Sequence, residues 1–391
     1  MNNQTPDIPA KGNILVVDDT PANLRLLSGM LAEQGHKVRS VINGQMALTA
    51  TQAAPPDLIL LDINMPGMNG YEVCERLKAD EKTRDIPIIF ISALDATEDK
   101  VKAFTVGGLD YITKPFQFEE VLARVETHLS LRKLQKNLED ANKRFEQELT
   151  LAGRVQASFL PKELPDISGW QLAVTLNPAR ETSGDFYDIN PLPNGELGIL
   201  VADVVGKGVG AALYMALSWT LIRTYATEYP TQPELVCEAV NRRILKDTQT
   251  DMFVTVFYGV LNPATGTLTY CNAGQNPPFL IGAQKSEEVQ KLGATGKPLG
   301  MFEDETWEKG MTLFASGDAL VVYTDGVVEA QNHQDELFGD ERLLRCARSN
   351  LGRPAQDIHD AIIRDVYDFT DGAPQYDDIT LVVLARMEVG L

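Results

Sequence analysis

The chain of 391 residues is 44% hydrophobic and 23% charged, a globular balance that excludes disordered and fibrous classes, and its length predicts two or three domains. Its net charge of −20, from 35 Lys and Arg against 55 Asp and Glu, opposes binding to nucleic acid. No run, not even Phe253–Leu261, reaches the roughly 18 apolar residues of a membrane span. The opening MNNQTPDIPAKGN has no basic n-region and no apolar h-region. Cys74, Cys237, Cys271 and Cys346 stand far apart without metal spacing, so a cytoplasmic chain with reduced thiols and no membrane partner is expected.

From Asn13 to about Leu122, short apolar runs alternate with amphipathic stretches. Ile14–Val17, His36–Val41, Asp57–Leu61, Ile86–Ser92 and Leu109–Thr113 read as strands. Asn23–Gln34, Gln45–Ala53, Tyr71–Ala79 and Thr97–Thr105 read as helices between them. Near-continuous apolar strands with helical crossovers predict a doubly wound, five-stranded parallel sheet, whose site lies at the carboxyl ends of the strands. Asp18 and Asp19 follow the first strand, Asp62 ends the third, Ser92 ends the fourth and Lys114 follows the fifth. Three converging carboxylates stay ionised at neutral pH only beside a cation, and all-oxygen ligation suits Mg²⁺. Lys114 and the Ser92 hydroxyl can hold phosphate oxygens, with Asp62 as the nucleophile that becomes an aspartyl phosphate.

These residues, within VDD (Val17–Asp19), LDINMPGMNG (Leu61–Gly70), Ser92 and KPF (Lys114–Phe116), resemble the receiver domain of two-component response regulators over residues 12–125. The resemblance implies that Asp62 takes a phosphoryl group from a sensor histidine kinase or phosphotransfer protein. It also implies that Asp19, Asp62 and the Asn64 carbonyl bind Mg²⁺ with Asp18 in support, that Lys114–Pro115 is cis, and that Tyr111 is the switch aromatic.

The helical pattern then continues without Gly or Pro until Gly153. Leu131, Leu134, Leu138, Ala141, Phe145, Ala152, Val155 and Phe159 fit a 3,4 repeat broken only at Glu148. Such a seam over about four heptads predicts a coiled-coil linker at 126–160 and a parallel homodimer.

After Leu160–Pro161 the strands become longer and alternating, with turns at Asn194–Gly195 and Thr265–Gly266. Helical blocks fall at 210–228 with 233–246, and at 342–350 with 354–369. Antiparallel sheets flanked by paired helices predict an α-β-β-α sandwich over residues 161–391. Acids recur where apolar strands meet glycine-rich turns: Asp185 in SGDFYD, Asp203 in ADVVGKG, Asp325 in YTDGVVE, and Asp377 with Asp378 in DDITLVV. Hard carboxylates without Cys or His suit two Mg²⁺ or Mn²⁺ ions, which orient water for direct attack on a phosphoryl centre.

Together with VQASFLP, NAGQNPP (Asn272–Pro278) and KPLG (Lys297–Gly300), these segments resemble the metal-dependent PP2C (PPM) serine/threonine phosphatases of the bacterial sporulation and stress-response subgroup. The resemblance implies that Asp203 bridges both metals with the Val204 carbonyl assisting, that Asp325 and Asp377 hold one, and that Asp185 orients water on the other. Arg180, taken as a strand residue, is a candidate phosphate clamp. Ser183 and Val205 depart from the subgroup's commoner Gly and Ser without removing a carboxylate. The implied function is a response regulator whose output is a phosphatase acting on a phosphorylated anti-sigma-factor antagonist. A non-catalytic adaptor of a sigma-factor pathway is the alternative. A damaged nucleotide cyclase signature in SGDFYD would leave the remaining motifs without a role.

Overall fold

The computed structural model describes residues 11–93, 97–282 and 289–387. Most of the opening segment examined above for export signals lies outside them. The chain divides into two compact units, residues 1–144 and 145–391.

In the first unit the order is β1 Asn13–Val17, α1 Pro21–Glu33, β2 Lys37–Val41, α2 Gly44–Ala53 and β3 Leu58–Asp62. It continues through α3 Gly70–Ala79, β4 Ile88–Ser92, α4 Thr97–Thr105 and β5 Asp110–Thr113. All pairings are parallel, in the order β2-β1-β3-β4-β5. The apolar runs are continuous because both faces are covered. Leu15, Ile59 and Phe90 face one core with Val73 and Leu77 of α3. Ile14, Leu60 and Ile89 face another with Leu24, Leu27 and Leu31 of α1, the period-2 division a strand imposes. This is the predicted doubly wound fold.

Helix α5 runs unbroken from Phe118 to Ala157. Val121, Val125 and Leu129 are buried in the first unit's core, so the helix begins as a packed domain element well before residue 126. Further along, Leu131, Leu134, Leu138, Phe145, Leu151 and Val155 are 53–65% exposed. The seam ends differently from the repeat. Phe159 lies past the end of α5 and packs edge-on against Trp219 of the second unit's core, centroids 5.5 Å apart, because a ring there buries more area than it would in solvent.

The second unit contains β6 Trp170–Asn177, β7 Phe186–Pro191, β8 Leu197–Val204, α6 Val209–Glu228, α7 Pro233–Asp247, β9 Val254–Asn262 and β10 Thr267–Ala273. After these come β11 Phe279–Ile281, β12 Val289–Lys291, β13 Gly310–Leu313, β14 Ala319–Tyr323, α8 Asp325–Val328, α9 Gly339–Ser349, α10 Ala355–Thr370 and β15 Ile379–Arg386. They build two antiparallel sheets, ordered β13-β10-β9-β8-β7 and β12-β11-β14-β15-β6. Ile199, Val201 and Phe257 meet Leu320, Val322 and Val382 between the sheets. Helices α6 and α7 cover the outer face of the first sheet, and α9 and α10 that of the second. The α-β-β-α sandwich is therefore present. Gly195 and Gly266 take φ of 82° and 79° in the predicted turns, a region open to glycine.

Candidate functional site

In the first unit the strand ends deliver the expected carboxylates. Oxygens of Asp18, Asp19 and Asp62 all lie within 4.8 Å of one another. Lys114 Nζ is 2.8 Å from Asp18 Oδ2 and 2.9 Å from Asp62 Oδ1, and the Lys114–Pro115 peptide is cis. Asp18 is held by the Thr20 backbone N–H at 2.8 Å and by Asn23 Nδ2 at 3.0–3.1 Å. Burial pushes the Asp62 carboxyl above its ordinary range; Lys114 pulls it back, and Asp18 and Asp19 add to the rise. A cation among these oxygens would relieve that cost.

The loop after Asp62 folds back tightly. A side chain at Gly70 would collide with the Asp62 carbonyl, and Asn69 with Glu72 forms a reciprocal capping box that starts α3 at that glycine. Asn64 lies exposed on this loop. Ser92 is buried at the end of β4, and its carbonyl accepts the Lys114 N–H at 2.8 Å. Tyr111 is buried in the core with Tyr71 and Phe90.

The second unit brings its acids together from four distant segments. Burial, then the charges of Asp325, Asp377 and Asp378, pushes Asp203 up to about 7, against a hydrogen bond from Asp185. Burial, and then Asp203, raises Asp185 well above the carboxylate range. Burial, Asp377 and Glu329 raise Asp325. These positions differ from a uniform set of strand ends. Asp203 lies inside β8, Asp185 immediately precedes β7, Asp325 opens α8 and Asp377 precedes β15.

Several contacts fix the cluster. Asp185 Oδ2 accepts hydrogen bonds from Thr324 Oγ1 at 2.6 Å and Thr380 Oγ1 at 2.7 Å. Val204 is buried, and its N–H donates to the Gly184 carbonyl at 3.3 Å. A Cβ at Gly184 would approach the Val204 carbonyl to 2.9 Å. Lys207 Nζ stands 3.0 Å from Asp377 Oδ2 and donates to the Tyr376 carbonyl at 2.5 Å. Arg180 sits on the loop after β6 rather than in a strand, exposed and without an ion pair among the described residues. Pro178, which cannot donate to a ladder, follows the end of β6 at Asn177.

Two further residues organise the site. Asp378, buried, accepts from Ala179 N at 2.7 Å through Oδ1, and from Ser183 Oγ at 2.7 Å and Gly184 N at 2.8 Å through Oδ2. Gln156, near the end of α5, accepts from Ser183 N at 3.0 Å and donates to the Ser183 carbonyl. The adjacent acids in DDITLVV and the glutamine in VQASFLP mark these positions, but no local pattern separates their roles from their neighbours'.

Both acid sets suit divalent metal by donor chemistry: oxygen only, like-charged and costly to bury unpaired. Among the described residues only Asp18, Asp19 and Asp62 form a group of three within 4.8 Å.

Residues 14–126 match the response regulator receiver domain family, and residues 193–387 match the stage II sporulation protein E (SpoIIE) family. Protein IcfG of Synechocystis sp. is 32% identical over 267 residues, 61% of this chain and 41% of that protein. The DNA-binding dual master transcriptional regulator RpaA of Synechocystis sp. is 42% identical over 116 residues, 30% of this chain and 48% of that one. This chain thus spans less than half the length of either. The phosphoserine phosphatase RsbU of Bacillus subtilis is 28% identical over 265 residues, 67% of this chain and 74% of RsbU. The SiaA PP2C domain of Pseudomonas aeruginosa superimposes with a TM-score of 0.54 at 21% identity, covering 63% of this chain and 99% of that domain, a likeness of fold. The chain therefore carries a response regulator receiver domain in its N-terminal part and a SpoIIE/PP2C-type phosphatase domain in its C-terminal part.

Proposed function

We propose that the protein is a metal-dependent serine/threonine phosphatase controlled by phosphorylation of Asp62. The observation that carries this is the convergence of Asp185, Asp203, Asp325 and Asp377, with Asp203 pushed up to about 7. Asp203 and the Val204 carbonyl would serve two Mn²⁺ or Mg²⁺ ions, with Asp325 and Asp377 on one and Asp185 on the other. When bound, such ions supply a water activated for attack and neutralise charge on the phosphoryl group. The chain's own part is to hold the acids in place, Thr324 and Thr380 fixing Asp185 while Asp378 fixes the loop before it. Arg180, exposed and without an ion pair among the described residues, would clamp the substrate phosphate.

In the receiver, Asp18, Asp19, Asp62 and Asn64 would hold Mg²⁺. Asp62 would take the phosphoryl group from a histidine kinase or phosphotransfer protein, Lys114 and Ser92 would bind it, and Tyr111 would repack. The domains proposed are 12–125 for the receiver, 126–160 for the linker and 161–391 for the phosphatase, in a parallel homodimer along the α5 seam. The substrate proposed is a seryl- or threonyl-phosphorylated anti-sigma-factor antagonist. RsbU's description as a phosphoserine phosphatase supports the phosphoseryl part of that reading. Moving a site from 1:99 to 99:1 competent takes about 5.5 kcal/mol, a scale suited to a repacked dimer interface rather than one switch contact.

The test is phosphate release from a phosphoserine peptide with Mn²⁺, with and without beryllofluoride. A several-fold rise that Asp62→Ala abolishes, with its basal rate intact, is expected. No Mn²⁺-dependent release would refute the enzymatic reading, and an unchanged rate with beryllofluoride would refute the control.

A further inference from the structure

A cavity of 460 Å³ lies between the chain at and after α8, the last turns of α10 and the turn at 372–377. Val366, Tyr367 and Ile379 give it an apolar lining, and Tyr376 also contributes. Its lining includes Gly326, next to Asp325, and Asp377 itself, so the cavity borders the acid cluster. Glu329, another lining residue, is close enough to Asp325 to raise its carboxyl.

Among the described residues no Lys or Arg lines this space, so it is not built for the phosphate. Its rim is acidic, through Glu329 and Asp377, which disfavours an acidic occupant as well. The walls formed by Val366, Tyr367 and Ile379 favour a hydrocarbon side chain. Tyr367 and Tyr376 are 46% and 60% exposed, large rings held partly in water, as at surfaces that gain energy by being covered.

We propose that this cavity is a specificity pocket of the phosphatase domain, which takes a large apolar side chain flanking the phosphoserine of the protein substrate. The inference rests on the phosphatase reading above. An extended chain advances about 3.3–3.6 Å per residue, so a side chain one or two positions from a phosphoserine at the acids reaches a neighbouring pocket. The phosphate supplies attraction common to every substrate, and the flanking residue supplies discrimination, which for apolar pockets is about tenfold or more per side chain.

The full-length protein with Mn²⁺ is assayed on phosphoserine peptides carrying Leu or Ala at each position from two before to two after the phosphoserine, and on p-nitrophenyl phosphate. At one flanking position the Leu peptide should show kcat/KM at least about tenfold above its Ala counterpart. Ala373→Trp, which fills the cavity, should bring that ratio close to one while leaving p-nitrophenyl phosphate turnover unchanged. Tyr367→Ala, which removes a wall, should reduce the ratio as well. A ratio near one at every position in the wild type, or one unaltered in both variants, overturns the pocket. So does an equal loss on peptides and p-nitrophenyl phosphate. Absence of turnover on all these substrates by the wild type would instead overturn the phosphatase reading.

Discussion

Replacing Asp378 with Ala should loosen the loop at 179–184 and destabilise the second unit. The carboxylate accepts three hydrogen bonds, from Ala179 N, Ser183 Oγ and Gly184 N, at 2.7–2.8 Å. Hydrogen bonds to charged groups contribute about 1.5–3 kcal/mol each, and a buried donor left alone costs about 1–3 kcal/mol. One loss is softened, because Ser183 Oγ also reaches the Asp185 carbonyl at 3.1 Å. A second offset is electrostatic, since Asp378 adds to the rise of both Asp185 and Asp203, and its removal relieves that repulsion. Two stranded backbone donors less this relief leave a net cost of about 2–4 kcal/mol, or roughly 5–12 °C for a unit of this size. Scanning calorimetry of the full chain would resolve the transition assigned to the second unit. Turnover with Mn²⁺ should fall in the same variant, because Asp185 follows the loop that has lost its anchor. A shift below about 2 °C with normal turnover would show that the three hydrogen bonds do not hold the loop, and the reasoning would fail.

Asp203→Asn removes charge from the centre of the acid cluster, and hydrolysis should fall by at least about a hundredfold; near-normal turnover at saturating Mn²⁺ would exclude Asp203 from the site. Leu138→Lys places like charges on the proposed seam and should convert dimers to monomers by light scattering. A wild type already monomeric at tens of micromolar, an affinity of roughly 6–7 kcal/mol, would sink the coiled coil. Burial pushes Asp188 up to about 6 despite Arg223 at 3.0 Å. The folded state therefore binds more protons than the unfolded state from about pH 4 to 6, and stability is present below that window and lost as pH rises through it. The total is about 3 kcal/mol. Asp188→Asn should flatten the pH dependence of the urea midpoint across that window, and an unchanged slope would disprove it.

The receiver was legible because its strands are buried on both faces and write themselves as unbroken apolar runs. Such runs put Asp18, Asp62, Ser92 and Lys114 at identifiable ends. The sandwich was legible in outline, but β7, β11, β12, β13 and α8 were not. Three of these strands have three or four residues, too few for a period to emerge. Strand β7, hidden in SGDFYD, carries Asp188, whose buried carboxylate looks polar and exposed in sequence. The seam was overextended at Phe159, because apolar spacing does not reveal whether a ring meets a second helix or its own domain. The roles of Gln156 and Asp378 depend on contacts 27 and 195 residues away, which no local window contains.

The neighbouring acids Asp377 and Asp378 point to different tasks. One carboxylate meets Lys207 and raises Asp325, while the other suspends the loop at 179–184. The pairing of β15 with β14 and β6 fixes the register just after the two acids, so that a one-residue slip of that pairing would exchange the two tasks. Such a chain would keep every acid, the same net charge and a recognisable motif, yet have no working centre. In this architecture, the inventory of carboxylates is a poor guide to whether a diverged copy still catalyses. The register of β15 against its two neighbours is the better diagnostic.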